Sequence, residues 1–418
     1  MRILFVLHQF FPEFSGGTER VALNLARMAQ HAGHHVMVLA CTVDAEKTGG
    51  IVTDTPVRGS VEAVYQGLAV TLIPKSMLPA TSDISMDADD GVVDDLAGWI
   101  KSGRFDVAHV LHTMRMGSAL LAIQQSNVPF VLSLTDFFLP CARINLITLR
   151  NQPCLGPDNG QRCAHDCPTA PWTDDAYLSR FVQAKSILKA AGACIAPSEY
   201  VAGRYRDIFP GVDIQVIPHG VDLLSLGVAD DKTNAPMALS DALRMVYVGT
   251  VIPQKGLDVL LQAMALIPDA PITLKVIGGF YGEPDYHKKI EALVRADRRV
   301  ELTGSLDARQ VFKALGEASL LCLPSVVPES FSLAFHESAA AGTPALVSDL
   351  GAPAQHVRAH NCGRVVAAGS PQAWASAIGD LVDAPDTLKF WKKNLFLPLR
   401  IEEEAFFFES VYQRLRCE

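Results

Sequence analysis

From residue 244 onward, short β-branched runs alternate with amphipathic segments, and this alternation restricts the fold more than any other feature of the sequence. Runs at 245–248, 272–277, 300–303, 320–323, 345–348 and 364–367 read as strands. Between them, residues such as Leu257, Leu260, Leu261, Met264 and Ala265 recur at i, i+3, i+4 and i+7, the spacing of one helical face laid on a sheet. Strand, helix and strand in succession require crossovers, hence a parallel sheet covered on both sides: a doubly wound α/β domain. The first half repeats the theme at 3–7, 36–40, 107–111, 130–134, 193–196 and 214–217. It is interrupted at 43–95 by a predicted hairpin and an acidic stretch, 83–95, that reads as a solvated helix start or loop. A segment of poor periodicity, 223–241, holding Asp230, Asp231, Asn234 and Pro236, separates the halves. The expected division is an N-terminal domain 1–222 with a cysteine-rich insertion at 141–167, a linker 223–243, a C-terminal domain 244–390, and a C-terminal helix within 391–418 that packs back on the first domain. Two such domains would leave a cleft between them.

A chain of 418 residues is long enough for two domains, each with its own core. The formal net charge of −9 supplies no basic field for a phosphate backbone, so nucleic acid is not an expected partner. No apolar run approaches the roughly 18–20 residues that a membrane-spanning helix needs. The apolar opening, residues 3–7, stops at His8 and Gln9, too short for the core of a signal peptide, and reads as a buried strand. Nine cysteines with no secretion signal argue for a reducing compartment, with the cytoplasm as the expected location.

Two places in the second half carry chemistry. The strand 245–248 runs into Gly249-Thr250-Val251-Ile252-Pro253-Gln254-Lys255-Gly256, after which a helix begins near Leu257. A glycine turn, a helix start and a lysine make an anion site, although GxxxxGK[ST] is absent. Further on, the strand 320–323 is followed by Pro324 to Ser332 and a helix over 333–341 ended by Gly342 and Pro344. Ser330 or Ser332 is expected to cap that helix, with Glu329 just before it and Glu337 inside it. A carboxylate near a helix N-terminus is favoured by the macrodipole alone, and it can also accept hydrogen bonds from vicinal sugar hydroxyls. No GxGxxG opens either half, which disfavours a dehydrogenase.

The pattern Glu329-x7-Glu337 followed by 338–344, together with Lys255-Gly256, resembles the retaining glycosyltransferases of family 4, which have the GT-B fold of two Rossmann-like doubly wound domains facing across a cleft. Pro218-His219-Gly220-Val221-Asp222 resembles their domain-junction motif, and His8 to Glu19 their first strand and its glycine loop. The resemblance covers nearly the whole chain and implies a transferase of the hexosyltransferase class. It would use a nucleoside-diphosphate sugar, a UDP-sugar as first choice, with a glycan, a lipid-linked or a small-molecule hydroxyl as acceptor and no catalytic metal. It implies that Lys255 contacts the donor diphosphate, Glu329 the donor-sugar hydroxyls and Glu337 the ribose, with the amides of Phe331, Ser332 and Leu333 facing the diphosphate or sugar. Gly249 and Thr250 would lie on the donor side, and the Gly16-Gly17 loop would close over the phosphates or the acceptor.

Three positions depart from the family pattern. Thr250 replaces the usual Arg, Ser332 a common Gly, and Thr135 the His of a first-domain strand end, which leaves Asp136 or His112 as the polar group near the acceptor. Asp136 is the first choice, and capping the loop after the strand is its alternative role. Two other functions stay open: a catalytically impaired nucleotide-sugar-binding or scaffold subunit, suggested by these departures, and a nucleotide-sugar epimerase.

Cys141-x12-Cys154-x8-Cys163-x3-Cys167 lies in a stretch rich in Pro, Gly and Asn. Four thiols grouped in this way in a reducing cell suit a structural tetrahedral Zn²⁺, with unliganded thiols, an iron–sulfur centre or disulfides as alternatives. The aromatic and basic segment from Phe390-Trp391-Lys392-Lys393 to Phe406-Phe407-Phe408 suggests either peripheral contact with the inner face of a membrane or packing back on the first domain, the preferred expectation.

Overall fold

The computed structural model describes residues 1–54, 57–168, 172–224, 226 and 242–417. It divides into two compact units, Met1–His219 with Ile401–Glu418, and Gly220–Arg400. The expected linker lies mostly outside the described residues.

In the first unit, nine strands are described: β1 Arg2–Val6, β2 His35–Thr42, β3 Ile51–Thr53, β4 Ser60–Tyr65, β5 Leu68–Pro74, β6 Val107–Val110, β7 Phe130–Ser133, β8 Ala193–Ala196 and β9 Ile214–Val216. They form one sheet in the order β3-β4-β5-β2-β1-β6-β7-β8-β9. From β5 to β9 neighbouring strands are parallel, and β3, β4 and β5 pair antiparallel. The expected hairpin is β4–β5, turned by Gln66 and Gly67, both with positive φ as a tight hairpin turn requires. The acidic stretch does several jobs. Asp89 caps the helix Asp90–Gly103, while Asp83 bonds Lys75 and Arg115.

The second unit holds β10 Leu243–Val248, β11 Ile272–Ile277, β12 Val300–Gly304, β13 Leu320–Leu323, β14 Ala345–Ser348 and β15 Gly363–Val366, all parallel, in the order β12-β11-β10-β13-β14-β15. Alternate residues of each strand enter separate cores, as the two-residue strand period dictates. Met245, Tyr247, Leu320 and Cys322 pack in one, Val246, Leu321 and Leu323 in the other. Trp374, fully buried, anchors the first of these.

One expected boundary shifts. Leu388 and Trp391 of the helix Asp386–Lys393 are buried in the core of the second unit, so the chain stays with the second sheet until Arg400, which pairs with Val221. The helix that returns to the first unit is Ile401–Cys417. It buries Phe408, Val411, Tyr412 and Leu415, whereas Phe406 and Phe407 are exposed. Its polar side chains are tied down as well: His219 bonds the buried Glu404 at 2.9 Å, His34 bonds Glu409 at 2.6 Å, and Tyr412 bonds His109 at 2.7 Å. No helix among the described residues is long and apolar enough to cross a membrane.

The other ring nitrogen of His109 meets Ser133 Oγ at 2.7 Å. Burial, with a smaller push from His219, holds the imidazole neutral and lowers its pKa from 6.5 to about 3. The unfolded chain therefore binds a proton below pH 6.5 that the folded chain refuses, so this stability is present above 6.5 and is lost as pH falls toward 3. In urea titrations at pH 6.5, 5.5 and 4.5, His109→Gln is expected to flatten the pH dependence of the first unit's stability by about 1.4 kcal/mol per pH unit. An unchanged slope would show that the ring is not held neutral.

Candidate functional site

In an open parallel sheet the loops on either side of a reversal in strand order splay apart at the carboxyl edge and leave a crevice. The second sheet reverses between β10 and β13. The loops that leave these two strands are the two segments with chemistry in the sequence.

They are packed into one structure. Gly256 has φ +64°, and a Cβ there would lie 2.0 Å from the Pro324 carbonyl oxygen, so the Lys255-Gly256 step depends on glycine to reach the second loop. Val326 N donates to Gln254 O at 3.0 Å. Lys255 Nζ donates to Glu329 Oε1 at 2.7 Å, and Ser325 Oγ donates to the same oxygen. The Glu329 side chain is only 13% exposed. Burial acts to raise its pKa, but the charge and hydrogen bond of Lys255, with the Ser325 bond, outweigh it and hold the carboxyl below its ordinary range. The backbone is fixed from the other side: Ala352 N donates to Glu329 O at 2.8 Å, and a Cβ on Gly351 would fall 2.4 Å from the Glu329 backbone. Glu329 is thus an ionised carboxylate on a rigid backbone, and the three-donor ammonium of Lys255 spends one bond on it.

Glu337 lies on the helix Leu333–Ala340, partly buried. Of the two serines expected to cap it, Ser332 is the residue before the helix, but its side chain makes no capping bond and its backbone has φ +71°. Its carbonyl instead accepts from Phe335 N at 3.2 Å and from the His336 ring at 2.9 Å. A serine in this region of φ is strained by about 1 kcal/mol. Ser332→Gly is expected to raise the stability of the second unit by about that amount in chemical denaturation, and a loss of stability would mean that the hydroxyl has an unrecognised partner.

A glycine pair escaped the sequence reading. Gly278 and Gly279 follow β11 directly, and a Cβ on Gly278, φ +155°, would fall 1.9 Å from the Gly249 carbonyl oxygen. The signal was present, since two glycines at a strand end beside another strand-end glycine mark a close backbone approach.

The first sheet reverses between β1 and β6, and two histidines leave those strands. The rings of His8 and His112 lie with centroids 3.9 Å apart, tilted by 31°. His112 Nε2 meets Asp136 Oδ2 at 2.7 Å, and its Nδ1 accepts from Met114 N at 3.1 Å, so the proton is on Nε2 and points at the carboxylate. Asp136 Oδ1 also accepts from Phe138 N at 2.8 Å, the loop-capping role. Asp136 therefore combines a turn cap with a histidine partner. His8 Nε2 lies 3.7 Å from Glu19, whose side chain is 2% exposed. Burial, then the neighbouring His112 and Arg115, keeps His8 neutral, and burial raises the Glu19 pKa. The Glu19 carboxyl folds back over the start of the helix Gly17–His31, where a Cβ on Gly16 would lie 2.5 Å from Glu19 Oε2, while Gly17 has open space around it. Gly16 serves the fold, and Gly17 leaves room at the helix N-terminus.

Cys141, Cys154, Cys163 and Cys167 line one cavity in the first unit, and no disulfide joins them. As positioned, no three of the His, Cys, Asp and Glu side chains among the described residues stand close enough together to hold a metal.

A family model described as Glycosyltransferase Family 4 matches residues 15–224, half of the chain. The chain belongs to glycosyltransferase family 4. A second model, described as glycosyl transferases group 1, matches residues 242–384 and so covers the Lys255–Glu329 constellation. The family 4 chain is 27% identical over 398 residues to a D-inositol 3-phosphate glycosyltransferase of Streptomyces scabiei, covering 91% of this chain and 81% of that one. It is 26% identical over 395 residues to a phosphatidyl-myo-inositol mannosyltransferase of Mycolicibacterium smegmatis, covering 92% and 85%. Among solved structures it is similar to HepE of Anabaena in complex with UDP and glucose, with a TM-score of 0.70, 15% identity and 99% and 100% coverage. It is also similar to a sucrose-phosphate synthase of Thermosynechococcus elongatus, with a TM-score of 0.70, 18% identity and complete coverage of both chains. The fold is GT-B, and this family 4 member is a sugar-transferring enzyme.

The departures from the family pattern have structural settings. Thr250 is exposed, and its carbonyl accepts from Tyr247 Oη at 3.1 Å. Thr135 is buried, with its hydroxyl donating to Leu111 O at 3.0 Å.

Proposed function

We propose that this glycosyltransferase binds a nucleoside-diphosphate sugar, a UDP-sugar as first choice, at the β10–β13 reversal and transfers the hexose with retention to an acceptor hydroxyl. The observation that carries this reading is the Lys255–Glu329–Ser325 cluster: an ionised carboxylate and an ammonium on backbones locked by Gly256 and Gly351. Departure of a nucleoside diphosphate builds negative charge on the leaving phosphate, and fixed donors aimed there stabilise the transition state. Lys255 and the start of the helix Leu333–Ala340 supply them, with the amides of Phe331, Ser332 and Leu333 as candidates. Glu329 would orient the sugar hydroxyls and Glu337 the ribose. In a front-face transfer the leaving phosphate accepts the acceptor proton, which suits a chain whose Asp136 is committed to His112 and Phe138. The HepE complex with UDP supports the donor class, and the names of the curated relatives make a cyclitol phosphate the first small acceptor to test. Glycan and lipid-linked hydroxyls are the other acceptor classes.

A thermal-shift screen of UDP-, GDP- and ADP-sugars tests the donor reading. A donor at 100 times its Kd stabilises the protein by about 2.7 kcal/mol, and Glu337→Ala is expected to abolish the shift. If no nucleotide-sugar binds more tightly than about 1 mM, or about −4 kcal/mol, the proposal fails.

A further inference from the structure

The helix Leu333–Ala340 starts from a backbone that serine does not adopt by itself. Ser332 has φ +71° and ψ 92°, and its hydroxyl makes no capping bond to the first-turn amides. A residue other than glycine stays in such a region only where its surroundings over-determine it. One buried side chain, the His336 imidazole, meets both residues at this start. Its Nδ1 lies 2.9 Å from Ser332 O, and because a carbonyl oxygen only accepts, this nitrogen carries the ring proton and donates. Its face lies on the Phe331 ring, with centroids 3.8 Å apart and planes tilted by 5°. Phe335, His356 and Phe396 close around the imidazole with centroids 5.4–5.7 Å away, so the ring cannot swing out without disturbing them.

The direction of the bond to Ser332 bears on the site. Ser332 O also accepts from Phe335 N at 3.2 Å and from His336 N at 3.4 Å, so it points along the helix. In a planar trans peptide the N–H lies opposite the C=O, so fixing Ser332 O in this direction aims the Leu333 N–H out of the N-terminal end of the helix. That N–H is one of the amides proposed to meet the donor diphosphate. The helix start is thus aimed by a residue one turn further on, next to Glu337 in the sequence.

We infer that His336 is a positioning residue for donor binding: its Nδ1–H and its stacking on Phe331 hold the strained Ser332 peptide so that the amides at the helix start are preorganised for the diphosphate. The inference rests on the donor reading proposed above. Preorganised donors bind more tightly because their ordering is complete before the ligand arrives. Glycine at position 332 would reach the same φ unaided, so the demand on His336 comes from the serine.

The test is the Kd for UDP, measured by calorimetry on the folded full chain in a double-mutant cycle. His336→Phe keeps a flat ring for Phe331 and removes the donor, and it is expected to weaken UDP binding about tenfold. In the Ser332→Gly background the same change is expected to weaken it by less than about threefold, since glycine needs no outside hold. A merely structural histidine would lower the denaturation midpoint and leave Kd where it was. Should His336→Phe fail to fold, His336→Asn, which places an amide N–H near the position of Nδ1, is expected to bind UDP within about threefold of wild type. Equal Kd for wild type and His336→Phe, equal losses in the two backgrounds, or loss of binding in a folded His336→Asn would overturn the inference while the donor reading stands. Wild-type protein that binds UDP, GDP and ADP no more tightly than about 1 mM would bring down the donor reading, and this inference with it.

Discussion

Lys255→Ala is expected to lower kcat/KM by about 10²–10³-fold while leaving the protein folded. The Lys255 ammonium is the charged donor bonded to Glu329, at 2.7 Å, and on the proposed donor reading its loss removes stabilisation of the leaving phosphate in the transition state. A second consequence separates electrostatics from packing. Without Lys255, Glu329 remains a largely buried carboxylate with Ser325 as its identified donor, and part of any loss of stability comes from that uncompensated charge. Combining Lys255→Ala with Glu329→Gln is therefore expected to restore denaturation behaviour and not activity. Rescue of activity by the double variant, or a kcat/KM within about threefold of wild type for the single one, would remove Lys255 from the transition-state machinery.

Gly256→Val is expected to cost more than about 4 kcal/mol, seen as a fall of about 10 °C in the Tm of the second unit with loss of donor binding. Two penalties coincide at this residue. Its φ of +64° disfavours any side chain, and a Cβ would sit 2.0 Å from a backbone oxygen that cannot rotate away. Gly282→Ala is the control: its φ is +81° but nothing lies within 4 Å, so it isolates the conformational penalty, about 1 kcal/mol. Equal effects at the two positions would mean that the β10 and β13 loops yield easily. In the Lys-Gly step, Lys255 bonds Glu329 and is the proposed contact to the donor, while Gly256 makes room for the carbonyl of Pro324.

How far the molecule could be read from its sequence depended on whether a signal was local. Every strand of the second sheet was visible because each is a short apolar run between helices, and β11, β13 and β14 were located residue for residue. The first sheet was legible in its parallel strands for the same reason, whereas the small antiparallel β3 has two exposed valine or isoleucine residues and no period to betray it. Lys255, Glu329 and Glu337 announced themselves through spacing on known element types. Ser325 and Gly351 did not, because their importance comes from crossing chain segments: one bonds Glu329 directly, the other admits its backbone. The pairing of His112 with Asp136 was likewise hidden, since only the parallel alignment of β6 with β7 brings two residues 24 positions apart to adjacent strand ends. Serine capping failed as a guide at Ser332, whose backbone has a positive φ and whose side chain makes no capping bond.

The return of the chain at Ile401 to the sheet that Met1 began makes the first unit discontinuous, with Gly220–Arg400 as an insertion within it. On a ribosome adding about 5–20 residues per second, the helix Ile401–Cys417 emerges roughly 15–55 s after β7, the strand it must join. Throughout that interval the faces of β6 and β7 that will receive Phe408, Val411, Tyr412 and Leu415 lack their cover, and His109 lacks Tyr412. The inserted unit, continuous in sequence, can finish folding during that time. Vectorial synthesis thus gives the chain a fixed order of completion: the half that holds Lys255 and Glu329 closes first, and the half that holds His112 and Asp136 is sealed only by the final seventeen-residue helix.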